Sequence, residues 1–405
     1  MATIVIHSSG TLGDHLPYIA LGESLQARGH KVRMAMNDSM HNYVLQSGLE
    51  AVSCGISMGE KEAQKGAEDW DEWHPHSKSF AERVEQMQKF FKYDIPLVFE
   101  QLLAACAGAD LLICGLQRQV FGTMIQHKLG IPWVATSVAP ADQCADSGNQ
   151  LGNKMQIMRF CTATLEEIYK DLGVLEMDWL EHTRTGHAIL GSSPHFSQLN
   201  SENSYYQQTG FWFYEDPTWK DWQPDDQLRQ FVEQSSKPLV LSFSSLPLKD
   251  ARAVLEVHVR AAAKLGRRIL IHRGWANFNE TLLPEDCDRE LVMFVDFIPQ
   301  DWLFSRAAAI IHHGGIGTIA RALRNNCPMV VEPYGNDQFF NAKRVMALKV
   351  GTAMCPYKIT PDNLAQVLEK KVLTDEVKEN TQALGAKVGE EKGLETACNL
   401  IASWM

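Results

Sequence analysis

A chain of 405 residues exceeds the size at which one hydrophobic core stops growing, which favours two domains of about 200 residues each with a ligand cleft between them. Its formal net charge of −11 and the lack of a Lys/Arg stripe exclude a sequence-independent nucleic-acid surface. Nine cysteines, odd in number, scattered and never in a Cys-x-x-Cys pair, read as reduced thiols of a cytoplasmic protein.

Met1-Ala2-Thr3-Ile4-Val5-Ile6-His7 lacks the basic leader of a signal peptide and reads as a first strand over residues 3–8, apolar enough to be covered on both faces. No apolar run reaches the roughly 18 residues of a membrane span, so membrane contact is restricted to the peripheral kind. The strand runs into Ser8-Ser9-Gly10-Thr11-Leu12-Gly13-Asp14-His15-Leu16-Pro17. A helix follows, with Tyr18, Leu21 and Leu25 at helical spacing and Gly29 as C-cap, and Lys31 to Met36 closes a βαβ unit. Residues 55–95 mix acids with Trp70, Trp73, Phe80, Phe90, Phe91 and Tyr93; most of these rings read as helix core, and a hydrophobic acceptor pocket would use the same residue types. Asp110 to Gly115, Trp133 to Ser137 and His187 to Gly191 read as further buried strands. Thr209 to Pro238 is rich in Trp, Asp and Pro without a sustained period, which marks a linker over 209–237.

From Leu239 the alternation restarts, with strands at Leu239–Phe243, Ile269–His272, Val292–Asp296, Ala308–His312 and Met329–Glu332. The expected architecture is α/β: an N-terminal domain over 1–208, a second doubly wound domain over 238–385, and a terminal helical segment over 386–405 for which packing back on the first domain is open.

Two turns stand out. Gly10-Thr11-Leu12-Gly13-Asp14 lies at the carboxyl end of the first strand, where parallel sheets bind ligands. It lacks the middle glycine of the dinucleotide fingerprint, although Asp38 stands near the distance of a ribose-binding acid. Asp14 fits two roles equally: an acid favouring a helix start, or a general base. In the second turn, Ile310-Ile311-His312-His313-Gly314-Gly315-Ile316-Gly317-Thr318, a strand passes through an imidazole and three glycines into a helix. Backbone donors, the helix dipole, the His313 side chain and the Thr318 hydroxyl together suit a phosphate. His312 alternates to the other face and reads as structural. Asp337-Gln338, a carboxylate beside an amide, suits vicinal sugar hydroxyls, and Asp337 equally suits a helix cap.

As a set, Asp296 to Gln338 resembles the nucleotide-sugar signature of the family 1 glycosyltransferases of the GT-B fold, closest to the bacterial natural-product and sterol-glucosyltransferase branches. Gly13-Asp14-His15-Leu16-Pro17 matches their Gly-Asp-x-x-Pro, Thr209-Gly210-Phe211-Trp212 their linker entry, and Leu241-Ser242-Phe243-Ser244-Ser245 their Phe-Gly-Ser strand end. Arg273-Gly274-Trp275 and Asp301-Trp302-Leu303-Phe304 look like the sterol branch. The resemblance implies two Rossmann-like domains facing across a cleft and an inverting transfer of a hexose, glucose foremost. The donor would be a UDP- or dTDP-sugar and the acceptor a small hydrophobic alcohol such as a natural product, sterol or lipid.

It also implies that Asp14 is the base. Thr11, Ser245, His313, Gly315, Gly317 and Thr318 would hold the diphosphate. Phe297, Ile298, Gln300 and Trp275 would surround the nucleoside, and Asp337 and Gln338 would grip the sugar. No cofactor beyond the nucleotide sugar, UDP-glucose foremost, is implied, and no metal is required. The Asp-x-Asp pairs at Asp69-Trp70-Asp71 and Asp286-Cys287-Asp288 follow no strand and read as non-ligands. Two departures stand out: Ser244 replaces a glycine, and Phe297 a frequent tryptophan. The rival expectations are a nucleotide-sugar epimerase or hydrolase on the same scaffold, and an inactive sugar-nucleotide-binding protein.

Overall fold

The structure, a computed structural model, describes residues 1–57, 60–65, 78–139, 157, 159–174, 185–199, 206–234, 236–335 and 337–405. It divides into two compact units, one made of Met1–Gly59, His76–Lys220 and Glu391–Met405, the other of Glu60–Pro75 and Asp221–Glu390.

The first unit holds β1 (Thr3–His7), β2 (Lys31–Met36), β3 (Glu50–Ser53), β4 (Leu111–Cys114), β5 (Trp133–Ser137), β6 (Ala188–Leu190) and β7 (Gln207–Gln208). Their order is β3-β2-β1-β4-β5-β6-β7 and every pairing is parallel. Successive side chains of a strand point to opposite faces, so the apolar runs feed two cores at once. Val5, Leu112 and Ala135 pack under the Phe80–Ala105 and Gln119–Leu129 helices, while Ile4, Ile6, Ile113 and Val134 pack under the Leu12–Ala27 helix. The strand order reverses between β1 and β4. A crevice at the carboxyl ends of the strands opens at such a reversal.

The second unit repeats the plan with β8 (Leu239–Ser242), β9 (Ile269–His272), β10 (Val292–Val295), β11 (Ala309–His312), β12 (Met329–Val331) and β13 (Gly351–Ala353), in the order β10-β9-β8-β11-β12-β13, again wholly parallel. Here the reversal falls between β8 and β11.

Four expectations need correction. The edge strands β3, β7 and β13 were not anticipated; they are short, and β3 and β13 are only half-buried. Of the rings singled out on the Phe80–Ala105 helix, Phe91 packs against the core but Phe80, Phe90 and Tyr93 do not. Phe90 is 44% and Tyr93 63% exposed, and the buried face is Ile95, Val98, Phe99 and Leu102. Trp70 and Trp73, and with them the first Asp-x-Asp pair, lie outside the described residues. The front of the expected linker is core as well: the units part between Lys220 and Asp221, and buried Trp212 meets Tyr18 edge to face at 5.9 Å. Lastly, residues 386–389 close the Asp375–Gly389 helix of the second unit, so the terminal helix is Gly393–Trp404 alone.

That terminal helix is part of the first unit's core. Ala397, Cys398 and Ile401 are fully buried among Ile4, Leu21 and Ile113. Trp404 stacks on His187 at 4.4 Å, and Arg28 donates to Asn399 Oδ1 at 2.7 Å. Just before the helix, Glu391 accepts from the Ser193 hydroxyl and from Phe211 N–H. Gly393 lies so close to Phe211 O that a Cβ would overlap it. Truncating Ile401 to Ala should therefore cost about 2–5 kcal/mol, as for other fully buried aliphatic side chains. Urea unfolding followed by tryptophan fluorescence should show that loss; an unchanged midpoint would mean the helix adds nothing to the core.

Candidate active site

At the reversal in the first sheet, β1 ends in His7 and the chain turns through Ser8–Gly10 into the Leu12–Ala27 helix. Gly10 has φ of 129°, and a Cβ there would overlap the Asp14 carboxylate, which folds back over the turn. Asp14 Oδ2 accepts from Thr11 N–H at 2.7 Å and from the Thr11 hydroxyl at 3.2 Å. Both bonds land on one oxygen. Oδ1 has no partner among the described residues. Burial raises the Asp14 carboxyl above its usual range, against the opposing pull of the Thr11 N–H and hydroxyl. The carboxylate thus serves the helix start through one oxygen and offers a basic second oxygen.

Two histidines flank it. His15 is fully buried, with Nδ1 at 2.8 Å from the Ser8 hydroxyl and Nε2 at 3.2 Å from Asn37 Nδ2. The Asn37 amide nitrogen can only donate, so His15 Nε2 accepts and the ring is neutral; burial brings its pKa down to about 4. His7 donates from Nδ1 to Ala35 O at 2.7 Å, and burial lowers it to about 3. Both rings are held in place by their partners.

In the second unit the carboxyl ends of five neighbouring strands collect the singled-out residues. After β8, Ser245 lies half-buried in the Phe243–Leu246 turn, and Ser244 adopts φ of 51°, the left-handed region where glycine is at ease. Ser244 O accepts from Trp275 N–H at 2.8 Å, which ties the turn after β8 to the turn after β9. After β10, Phe297 is 42% exposed and meets His272, at the end of β9, edge to face at 5.2 Å. Ile298 and Gln300, half-buried, follow it into the Gln300–Phe304 helix.

After β11 comes the glycine turn. Gly315 is the N-cap of the Ile316–Arg324 helix, whose first amides have no intrahelical acceptor. Gly317 is exposed with open space around its Cα, and Thr318 is buried. The His313 ring lies over Gly315, so that a Cβ there would stand 2.6 Å from Nε2. Its Nδ1 is buried without a partner, and burial brings its pKa down to about 4, leaving a neutral ring. Beyond β12, Gln338 Oε1 accepts from Tyr334 and Gly335 N–H at 2.8 and 3.1 Å, so the amide oxygen shapes the loop before it. Asp337 stands at the N-cap position of the Gln338–Ala347 helix without capping it; its Oδ2 accepts from Asn341 Nδ2 at 2.9 Å. The second Asp-x-Asp pair is spent elsewhere: Asp286 pairs with Arg260 and Asp288 caps a 3₁₀ turn.

Two family models match parts of the chain: the glycosyltransferase family 28 N-terminal domain over residues 4–138, and the erythromycin biosynthesis protein CIII-like C-terminal domain over residues 281–400. A sterol 3-beta-glucosyltransferase of Candida albicans is 27% identical over 99% of this chain and 27% of its own length. The sterol 3-beta-glucosyltransferase UGT80A2 of Arabidopsis thaliana is 26% identical over 96% of the chain and 64% of its own. The chain thus spans less than two thirds of these curated relatives. Among solved structures, the glycosyltransferase of kitacinnamycin matches with a TM-score of 0.74 at 20% identity, over 100% of this chain and 99% of that one. SsfS6 of Streptomyces sp. SF2575, complexed with thymidine diphosphate, matches at 0.67 and 18%, over 100% of both chains. The chain shares the GT-B fold of these solved glycosyltransferases and matches the two family models over residues 4–138 and 281–400.

Along the chain, all the donor-side residues read from the sequence except Thr11 stand along one sheet edge of the second unit, and Thr11 sits with Asp14 on the first unit's turn. Sequence reasoning missed the residues that hold them. Asn341 is one helical turn past Asp337, a spacing that was legible. The bond from Gly314 N–H to His312 Nδ1 at 3.1 Å, and the grip of Ser8 and Asn37 on His15, were not.

The buried histidines predict an acid limb of stability. His7, His15, His272 and His313 are lowered to between about 3 and about 4 by burial, and His312 lies well below the usual value. Each is neutral when folded but takes up a proton near pH 6.5 when unfolded. Stability is therefore intact above about pH 6.5 and declines as pH falls toward 4, by about 1.4 kcal/mol per pH unit for each such ring. The raised Asp14, Glu23, Glu391 and His258 act in the opposite sense and are fewer. A thermal-unfolding midpoint that drops steadily from pH 7 to pH 5 is expected; a flat profile would contradict the buried neutral assignment.

Proposed function

We propose that the protein transfers a hexose, glucose foremost, from a UDP- or dTDP-sugar to the hydroxyl of a small hydrophobic acceptor of the sterol, lipid or natural-product kind, with inversion at the anomeric carbon. The observation that carries the reading is the Asp14 carboxylate: one oxygen is consumed by the helix start and the other is left open at the carboxyl edge of a parallel sheet. The sterol glucosyltransferases aligned over nearly the whole chain support a hydroxyl acceptor and glucose, and the thymidine diphosphate bound by SsfS6 keeps a dTDP donor in play.

In the proposed reaction, Asp14 Oδ1 takes the proton of the acceptor hydroxyl as that oxygen bonds to C1 of the sugar. The bond from C1 to the diphosphate breaks on the opposite face. The transition state is oxocarbenium-like, and the charge that develops on the leaving diphosphate needs preorganised donors rather than a metal. The amides of Ile316, Gly317 and Thr318, the His313 ring, the Thr318 and Ser245 hydroxyls and Thr11 supply them. Phe297, with Ile298, Gln300 and Trp275, would receive the nucleoside, and Asp337 and Gln338 the sugar. The elevated Asp14 value makes this carboxylate a stronger base than an exposed one.

Two variants test the assignment. Asp14→Asn should lower acceptor-dependent UDP or dTDP release about a thousandfold, within the range of general-base contributions, while leaving nucleotide affinity nearly unchanged. Transfer that persists would discard Asp14 as the base. His313→Ala should weaken UDP or dTDP binding about tenfold by calorimetry, the scale of a hydrogen bond to a charged group; unchanged affinity would remove the ring from the diphosphate site. A panel of UDP- and dTDP-sugars, followed by acceptors, separates transfer from epimerisation or hydrolysis, because only transfer needs the acceptor.

A further inference from the structure

Gly314, the middle of the turn after β11, has φ of 97°, and a Cβ there would stand 2.6 Å from Val331 Cγ1. Its peptide groups are held on both sides by buried side chains. The N–H donates to His312 Nδ1 at 3.1 Å, and the C=O accepts from Asn341 Nδ2 at 3.0 Å. The second hydrogen of the same Asn341 nitrogen goes to Asp337 Oδ2 at 2.9 Å. Both partners of that nitrogen are pure acceptors, so only an NH₂ group can stand between them; a carboxylate would face two further acceptors, and a hydroxyl has one hydrogen for two bonds. Asn341 is fully buried, and its Oδ1 accepts from no described residue. The amide is therefore committed through its nitrogen alone. It touches two elements that the sequence reading treated as separate: the turn assigned to the diphosphate and the acid assigned to the sugar.

We propose that Asn341 is a positioning residue that locks the Gly314 turn and Asp337 into one register, so that sugar hydroxyls are recognised only at a set distance from the diphosphate. The proposal rests on the donor reading given above. It separates the two parts of donor affinity. Binding of a nucleoside diphosphate uses the turn, the helix amides and His313, which remain after Asn341 is truncated. The extra affinity contributed by the sugar needs Asp337 at its place, and truncating Asn341 removes the bond that sets Asp337 Oδ2 against the Gly314 turn.

The test is calorimetry of the full chain with UDP against UDP-glucose and with dTDP against dTDP-glucose, for the wild type, Asn341→Ala, Asp337→Asn and the double variant, each first checked for a cooperative thermal transition. Asn341→Ser replaces Asn341→Ala if the alanine variant does not fold. In Asn341→Ala the preference for the nucleotide sugar over the bare diphosphate should fall about tenfold, with the diphosphate alone changing about threefold or less. Asp337→Asn should lower that preference in the wild type and add little in the Asn341→Ala background, because coupled residues are not additive. Parallel losses for diphosphate and nucleotide sugar would reduce Asn341 to a folding role and overturn the proposal, as would additive effects of the two substitutions. A wild type that binds neither nucleotide sugar would instead overturn the donor reading and this inference with it, whereas the first two results leave the donor reading standing.

Discussion

Every strand pairing in both sheets is parallel, and that constraint organises most of what the molecule can do. A parallel ladder cannot be closed by tight hairpins, so each connection must cross a face of the sheet, and helices bury both sides. All strands then end at the same edge. The helix that follows each strand begins at that edge too, with its unpaired amides and the positive end of its dipole directed there. Where the strand order reverses, neighbouring connections leave in opposite directions and a crevice remains. Asp14 stands at one such reversal, between β1 and β4, and the His313–Thr318 turn at the other, between β8 and β11. Neither site needed a separate scaffold.

The strands themselves were legible because burial on both faces demands a continuous apolar run. Thr3–His7, Leu111–Cys114 and Ile269–His272 carry that signature. Edge strands lack one covered neighbour, so Glu50–Ser53 and Gly351–Ala353 can be short and half-polar, and they do not announce themselves. The rings at Phe90 and Tyr93 misled for a related reason: a long helix has a buried and an exposed face, and nothing in composition tells which face an aromatic occupies when charges surround it. The turns of the site were legible as turns, since glycines at φ of 129° and 97° have few substitutes. Their supports were not. Asn341 beneath Gly314, Asn37 beneath His15 and Glu391 beneath Phe211 join residues that only the folded chain brings together.

Those supports share a chemical theme. The buried rings at His7, His15, His312 and His313 are kept neutral by burial, and three of them are bonded to backbone or amide groups rather than to acids. His258 is the exception: its Nδ1 reaches Val254 O at 2.6 Å and its Nε2 reaches Glu332 Oε1 at 2.8 Å, a pair of acceptors that calls for the protonated ring. The Glu332 carboxylate and its hydrogen bond raise this one histidine against the burial that lowers the others. It links the Ala251–Lys264 helix to the residue just after β12, ahead of the loop that leads to Asp337 and Gln338. A single chain thus places neutral imidazoles in its site turns and a charged one beneath the neighbouring loop.

The Gly393–Trp404 helix has a consequence for how the chain is made. Its Ala397, Cys398 and Ile401 complete a core whose other walls, β1, β4 and the Leu12–Ala27 helix, come from the opposite end of the sequence. As the chain leaves the ribosome, the second unit is fully synthesised while the first still lacks one wall. The unit begun first is therefore the one finished last, and until then the apolar surface around Ile4, Leu21 and Ile113 is exposed to whatever the nascent chain encounters.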